Sequence, residues 1–419
     1  MFVALGVFLA LLAALLYVNL SAGERRVTHE IAHLYPVDDP QFFRAMGMLL
    51  GPDIVPGNRV QALNNGDEIF PSMLQAIRGA RSTILFETFI YWSGEIGDEF
   101  AQALSERARA GIKVHVLLDW LGSIKVEESL VQAMKEAGVE VYRFHPLRWY
   151  NLGRINNRTH RKLLIVDGAI GFTGGVGIAP PWTGHAQDAD HWRDSHYRVE
   201  GPVVAQMQSV MLANWTKASG RILHGQAYFP PLQPAGDQQA QVFHSSPSGG
   251  SESMQLMYLI AITAAVKTID IASAYFVPDE MTRVALIAAL ERGVRVRVIT
   301  PGRQIDTQTV RHASRALWGD LLEAGMQMHV YQPTMFHCKT VIVDGLLASV
   351  GSTNFDPRSF HLNDEANLNV YDAEFAAHLT RIFEQDLERC KPCTLEQWRS
   401  RSLAEKVRER VTSWLAPVL

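Results

Sequence analysis

His160-Arg-Lys162-Leu-Leu-Ile-Val-Asp167 returns later in the chain as His337-Cys-Lys339-Thr-Val-Ile-Val-Asp344, so the pattern HxKxxxxD occurs twice. At ordinary residue frequencies, two independent matches in a chain of this length arise by chance roughly one time in a thousand. Duplication is the better explanation. Both copies run on to small residues at the same distance, Gly174-Gly175 and Gly351-Ser352. Between lysine and aspartate the run is largely apolar on both faces, as in a strand covered on two sides. Residues two apart on a strand share a face, so His160 goes with Lys162 and His337 with Lys339. The aspartates lie seven positions from their histidines and face away from them. Asp167 and Asp344 are therefore expected to anchor the strand end rather than to orient an imidazole, and that duty should fall to a carboxylate from elsewhere.

The duplication extends outward. "AIRGARSTILFETFIYW" from Ala76 parallels "AITAAVKTIDIASAYFV" from Ala261, and "LSERARAGIKVHVLLD" from Leu104 parallels "LIAALERGVRVRVIT" from Leu286. Each half repeats strand, helix, strand and a later motif strand, which predicts an α/β fold of two similar halves. Each is expected to be a mainly parallel sheet flanked by helices, over residues 59–232 and 233–393. The Pro-, Gly- and Gln-rich stretch 228–241 is the natural join. At 419 residues, with 47% hydrophobic and 20% charged residues, the chain can bury two domain-sized cores. Three cysteines give no disulfide framework, and Cys390-Lys-Pro-Cys393 is a single CxxC without a second pair.

The stretches "NRTHRKLLIVDGAIGFTGG", "HWRDSHYRVEGPVV" and "FHCKTVIVDGLLASVGSTNFDPRSFHLNDEANL" resemble the phospholipase D superfamily, and within it the bacterial cardiolipin synthase branch, over residues 60–419. The resemblance implies one phosphodiester-transferring site built from both motifs in a phospholipase D-like αβα sandwich. It makes His160 the nucleophile that forms a phosphohistidine, and His337 the acid and then the base. Two histidines suit this division, because one must be unprotonated to attack while the other is protonated to release an alkoxide. Lys162 and Lys339 would neutralise the nonbridging phosphoryl oxygens, with Asn354 donating to them. Family acids at the positions of Asp194 and Glu365 hold the two histidines. Arg158, Arg161, Thr173, Gly175 and Ser352 are further candidates for substrate contact. One departure stands out: the first copy has Gly177 where the family usually has asparagine, so Thr173 or backbone N–H groups would have to replace a donor. No cofactor or metal is implied; His185, Asp188, Asp190 and His191 read better as a polar loop than as ligands.

A net charge of −4 disfavours a general nucleic-acid binder. Between Glu140 and Asp167, however, Arg143, Arg148, Arg154, Arg158, Arg161 and Lys162 accumulate without an acid, interleaved with Phe144, Trp149 and Tyr150. Such a segment suits anionic head groups, or a single nucleic-acid strand.

The chain ends favour lipid. "FVALGVFLALLAALLYVNL" has no charge and suffices for a transmembrane helix across about 30 Å, giving an anchor over residues 1–23 and a juxtamembrane segment over 24–58. Arg25 and Arg26 then place the catalytic body on the cytoplasmic side of a bacterial inner membrane. Residues 394–419 read as a basic amphipathic helix, with Leu403, Val407, Val411, Trp414, Leu415 and Val418 at helical spacing. The expected partners are the membrane and its phospholipids, phosphatidylglycerol first and phosphatidylethanolamine as a second donor. The expected activity is transfer of a phosphatidyl group to a second lipid hydroxyl, with phospholipase D hydrolysis as side reaction. A nucleic-acid phosphodiesterase with the same histidines is the alternative. Oligomeric state is not legible.

Overall fold

The computed structural model describes residues 2–20, 29–146, 157–247, 254–414 and 416. The strands of the first half are β1 (Val55–Asn64), β2 (Thr83–Thr88), β3 (Lys113–Asp119), β4 (Glu140–Phe144), β5 (Arg158–Thr159), β6 (Leu163–Val166), β7 (Ile170–Gly174) and β8 (Ser195–Glu200). Those of the second are β9 (Gln238–Ser245), β10 (Thr268–Ser273), β11 (Arg295–Pro301), β12 (Gln327–Tyr331), β13 (Lys339–Val343), β14 (Leu347–Gly351), β15 (Asn363–Tyr371) and β16 (Cys390–Cys393). The order β1-β8-β7-β6-β2-β3-β4 in one half is repeated as β9-β15-β14-β13-β10-β11-β12 in the other, with β16 added at the far edge. The two series join through the antiparallel pair β1–β9. β9 begins inside the stretch expected to be a linker.

The expected mainly parallel sheets are mixed instead. Among the described strands only β2–β3, β3–β4, β10–β11 and β11–β12 on this path run parallel. These are the neighbours joined by helical crossovers, such as Glu95–Arg109 and Glu280–Glu291. The motif strands instead turn straight back as hairpins, β6 into β7 and β13 into β14. At each turn an Asp-Gly pair takes left-handed backbone, with φ of 54° and 63° at Asp167 and Gly168 and of 53° and 65° at Asp344 and Gly345. Aspartate and glycine tolerate that region, and Asp-Gly between two strands is a hairpin signal that the parallel expectation overlooked.

The aspartates also hold the hairpins in place. The Asp167 carboxylate accepts from the backbone N–H groups of Arg81, Ser82 and Thr83 at 2.9, 2.7 and 3.0 Å. Asp344 does the same for Val266, Lys267 and Thr268 at 2.9, 2.7 and 2.8 Å. Each motif acid thereby ties the end of its strand to the start of the neighbouring one, away from the histidine.

Among the described residues three large apolar cores result, with a fourth, small cluster around Phe336 and Phe383. One lies within the first half around Phe70, Phe100, Leu164 and Phe172, and one within the second around Phe42, Tyr258, Ile271 and Val343. The third is shared between halves and contains Leu85, Leu163, Ile165, Trp215, Val242, Ile342 and Leu368. Along β6, Leu163 and Ile165 face the shared core while Leu164 and Val166 face their own half's core. That explains the apolar run on both faces, and each such side chain contributes about 1.5–3 kcal/mol.

The ends differ from expectation in detail. Within the segment expected to be juxtamembrane, residues 40–58 belong to the body, because the helix Pro40–Leu50 buries Phe42, Met46 and Leu50 in the second half's core and β1 starts at Val55. The C-terminal stretch is two helices, Leu395–Arg399 and Leu403–Ser413, each opened by its own capping box at Thr394 and Ser402. Phe2–Leu20 forms a helix of 19 residues without a charge, whose side chains are described over residues 5–14, all exposed. Among the described residues no helix is long and apolar enough to cross a membrane. Arg25, Arg26, Arg148, Trp149, Tyr150, Arg154, Leu415 and Val418 lie outside the described residues, and with them part of the basic segment.

Candidate active site

The two motifs meet at the junction of the halves, and their carboxylates cross over. His160 Nδ1 lies 2.9 and 3.1 Å from the two carboxylate oxygens of Glu365, which belongs to the second half. His337 Nδ1 lies 2.7 Å from Oδ2 of Asp194, which belongs to the first. Backbone pairing produces the exchange. β5 runs parallel to β15, so the His160 N–H donates to the carbonyl of Asp364 at 2.9 Å, one residue before Glu365. A parallel bridge between Arg193 and Phe336 puts the His337 N–H 2.7 Å from the Arg193 carbonyl, one residue before Asp194. Neither half can therefore orient its own histidine.

Each carboxylate is held in turn. Glu365 accepts from the hydroxyl of Ser352 and, at 3.4 Å, from the side-chain amide of Asn363. Asp194 accepts from the Ser195 N–H at 2.8 Å and the Trp182 indole at 2.9 Å. Gly175 lies against Asp194, where a Cβ would stand 2.2 Å from a carboxylate oxygen. The lysines follow one rule: Lys162 donates to the His160 carbonyl at 2.7 Å and Lys339 to the His337 carbonyl at 2.6 Å.

Burial sets the charge states. It lowers the His160 imidazole to about 4, with Glu365 opposing and Lys162 and Lys339 reinforcing. His337 is lowered by burial and by Lys339 against the pull of Asp194. Burial takes Lys162 down to about 7 and moves Lys339 the same way. It would raise Glu365 and Asp194, yet the facing histidines, the lysines and the hydrogen bonds outweigh it and hold both below the ordinary carboxylate range. An ionised carboxylate can only receive, so it fixes the N–H tautomer at Nδ1 of each ring and leaves Nε2 with its lone pair.

Both histidines, Lys162, Asn354 and Arg158 line one cavity of about 440 Å³. Its apolar wall comes from Phe89, Ile90, Leu121, Trp182 and Trp192, and its polar wall from Tyr275, Asp306, Thr307, Asp356 and Arg358. The indoles of Trp182 and Trp192 both pack 5.4 Å from the His337 ring, while Phe89 lies 5.2 Å from His160. Sequence reasoning did not single out these aromatics, nor Asp356 and Arg358. The proline-tryptophan and "FDPRSF" stretches beside the motifs were the available signal.

Several candidates do not reach the cavity. Arg161 is a buried clamp between halves, donating to the carbonyls of Val210, Ser245 and Glu365 and lying 3.6 Å from Asp364. Thr173 is buried on β7 and pairs with Tyr197 and Leu163. Gly175 and Ser352 pack on carboxylates, as above, so they act one step back from any substrate. Gly177 has no room for an asparagine, since a Cβ there would lie 2.7 Å from the Ile90 side chain and 3.1 Å from the Trp182 ring. Tryptophan fills the space that the family's asparagine would use. His185 pairs with Asp67 and His191 with Asp188 in an exposed loop, and among the described residues no cluster has the makings of a metal site.

Residues 73–211 and 258–387 match a family model described as cardiolipin synthase, PLD-like domain, one match on each half of the site. The chain belongs to this family. It is 34% identical over 400 residues to a cardiolipin synthase of Halalkalibacterium halodurans, covering 95% of this chain and 79% of that one. A cardiolipin synthase of a Geobacillus strain is 36% identical over 362 residues, covering 86% of this chain and 72% of its own length. In fold the chain is similar to phosphatidylserine synthase of Haemophilus influenzae, with a TM-score of 0.68 at 14% identity over 90% of this chain and all of that one. As a family member it is a phospholipase D-type phosphatidyltransferase acting on phospholipids.

Proposed function

We propose that the enzyme moves a phosphatidyl group from phosphatidylglycerol to a hydroxyl of a second phosphatidylglycerol, through a phosphohistidine at His160. The crossed pairs His160–Glu365 and His337–Asp194, opening on one cavity, carry this reading. A catalytic imidazole needs one nitrogen held and the other turned to the substrate; Nδ1 is held in both rings, and the Lys339 ammonium stands 3.2 Å from Nε2 of His337.

The steps follow from the charge states. With its pKa near 4, His160 is neutral at pH 7, and Nε2 can attack phosphorus. A phosphodiester anion beside His337 raises that imidazole's proton affinity, so His337 takes up from solvent, as the substrate binds, the proton it needs as an acid. As the P–N bond forms and the P–O bond to glycerol breaks, His337 gives its proton to the leaving oxygen. His337 then takes the proton of the incoming hydroxyl, whose oxygen attacks phosphorus and releases His160. Lys162 and Lys339 stabilise the phosphoryl charge that develops, and Asn354 donates to it. Water in the acceptor's place yields phosphatidate, and the tryptophan- and phenylalanine-lined wall disfavours it.

The uncharged Phe2–Leu20 helix would hold the protein to the membrane by burying its apolar surface in lipid, without a span being required. Its described side chains are apolar and exposed, including Phe8 and Leu11 at 61% and 66%, which is costly in water and favourable in lipid. The anchor would hold the body at a cytoplasmic membrane face, where donor and acceptor lipids both reside.

Mass spectrometry of products from vesicles of defined phosphatidylglycerol and phosphatidylethanolamine tests the reading. Cardiolipin from the wild-type enzyme and none from His337→Asn is the expected result. Cleavage of labelled single-stranded DNA without any lipid turnover would sink it.

A further inference from the structure

The C-terminal helix Leu403–Ser413 sits inside out on the protein. Leu403, Val407, Val411 and Trp414 follow one another at steps of four, four and three, which aligns them in one stripe. They are 78%, 54%, 53% and 75% exposed. The opposite side of the helix packs on the helix Gln308–Ala316, and what it buries is a charge. Glu409 is 2% exposed and pairs with Arg315 and Arg401. Arg401 stacks on Trp398 at 3.8 Å, and the Ser402 capping box fixes the start of the helix. An amphipathic helix resting against a protein normally buries its apolar stripe. This one is locked the other way by its ion pairs.

Charge indicates what covers the stripe. At 100° per residue Lys406 and Arg410 flank one edge and Arg408 the other, all exposed, while Glu405 and Glu409 lie away from it. Apolar residues flanked by cations match an anionic lipid surface, with hydrocarbon below and phosphate beside. A second copy of the chain would set these cations against themselves across a two-fold contact.

The same supporting helix reaches the chemistry. Val310 on it, and Asp306 and Thr307 just before it, line the cavity that holds the histidines. Another part of the cavity wall also ends in exposed apolar side chains, Leu121 at 42% with nearby Ile124 at 62%. We propose that the Leu403–Trp414 stripe is a docking surface for an anionic bilayer, seating the cavity mouth on the head-group layer so that lipid enters without crossing water. The proposal rests on the phospholipid reading of the active site and adds a place of entry.

Two measurements on the full-length protein test it. Hydrogen exchange on the His337→Asn enzyme, which leaves vesicle composition unchanged, should show the backbone of residues 403–414 protected by vesicles containing phosphatidylglycerol and not by phosphatidylcholine alone. The variant L403S/V407S/V411S/W414S should lose about tenfold in turnover of long-chain lipid in those vesicles and keep its rate on dissolved short-chain lipid. Charge reversal by Lys406→Glu and Arg410→Glu, which leaves the stripe intact, should have the same selective effect. Equal exchange with both vesicles would overturn the proposal, as would equal loss on both substrates. So would protection that follows protein concentration together with a change in oligomeric state. Protection by anionic vesicles without turnover of any phospholipid would instead leave docking standing and remove the catalytic reading.

Discussion

The two half-sites share a plan and differ in upholstery. Around His160 the carboxylate's support is polar, Glu365 being held by Ser352 and Asn363, and one aromatic ring, Phe89, lies against the imidazole. Around His337 the supporting groups are aromatic, with Trp182 and Trp192 against the ring and the Trp182 indole on Asp194. The first copy's glycine at position 177 belongs to this difference, because Trp182 and Ile90 occupy the room beside it. A duplicated motif thus supplies two imidazoles in similar poses, while the loops after each motif give them unlike surroundings. Unlike surroundings are what an attacking group and a proton carrier require, since their charge states must diverge.

The largest effects should separate the two histidines. His160→Ala and His337→Asn should each lower transfer by roughly 10³- to 10⁴-fold. In a rapid-quench experiment with radiolabelled lipid, only His337→Asn should leave a trapped phosphoenzyme. A phosphoenzyme in His160→Ala would reverse the assignment.

Glu365→Gln and Asp194→Asn come next, at roughly 10²- to 10⁴-fold, because an amide no longer fixes the tautomer. Their pH profiles should differ. Activity needs His160 neutral, so the acid limb of kcat/KM falls as pH drops through about 4, the value that burial sets. Glu365 opposes that lowering, so Glu365→Gln should move the acid limb lower still. Asp194→Asn should move only the alkaline limb, which reports loss of the proton on His337. An acid limb near the free-histidine value in the wild-type enzyme would contradict the buried, neutral His160.

Asp167→Ala and Asp344→Ala should act on stability, since each strands three backbone donors. About 2 kcal/mol is expected from each in denaturant unfolding, with the pH profile unmoved. A shifted profile would bring these acids into the chemistry. The smallest effects sharpen the contrast best. Trp182→Phe should cost about tenfold or less and appear only on the His337 limb, whereas Ser352→Ala should do so only on the His160 limb.

Much of this was legible in the chain itself. The histidines, the lysines and the outward-turned Asp167 and Asp344 follow from strand alternation and turn chemistry, which are set by residues within a few positions. The mixed sheet was less so, because the Asp-Gly hairpin signal at each motif's end competes with the strand-helix-strand pattern of the crossovers, which by itself implies parallel neighbours. Arg161 shows the limit clearly. Next to a motif histidine in sequence, it turns to the opposite side and clamps three carbonyls from distant parts of the chain.

The sequence by itself determined which groups could do the chemistry, and that Asp194 and Glu365 were the acids to watch. Only the tertiary structure decided which acid serves which histidine. His160 and Glu365 are 205 positions apart and His337 and Asp194 are 143, and the contacts that unite them are strand pairings between halves. Local periodicity carries no information about such pairings, because they form only when the shared core of Leu163, Ile165, Ile342 and Leu368 closes.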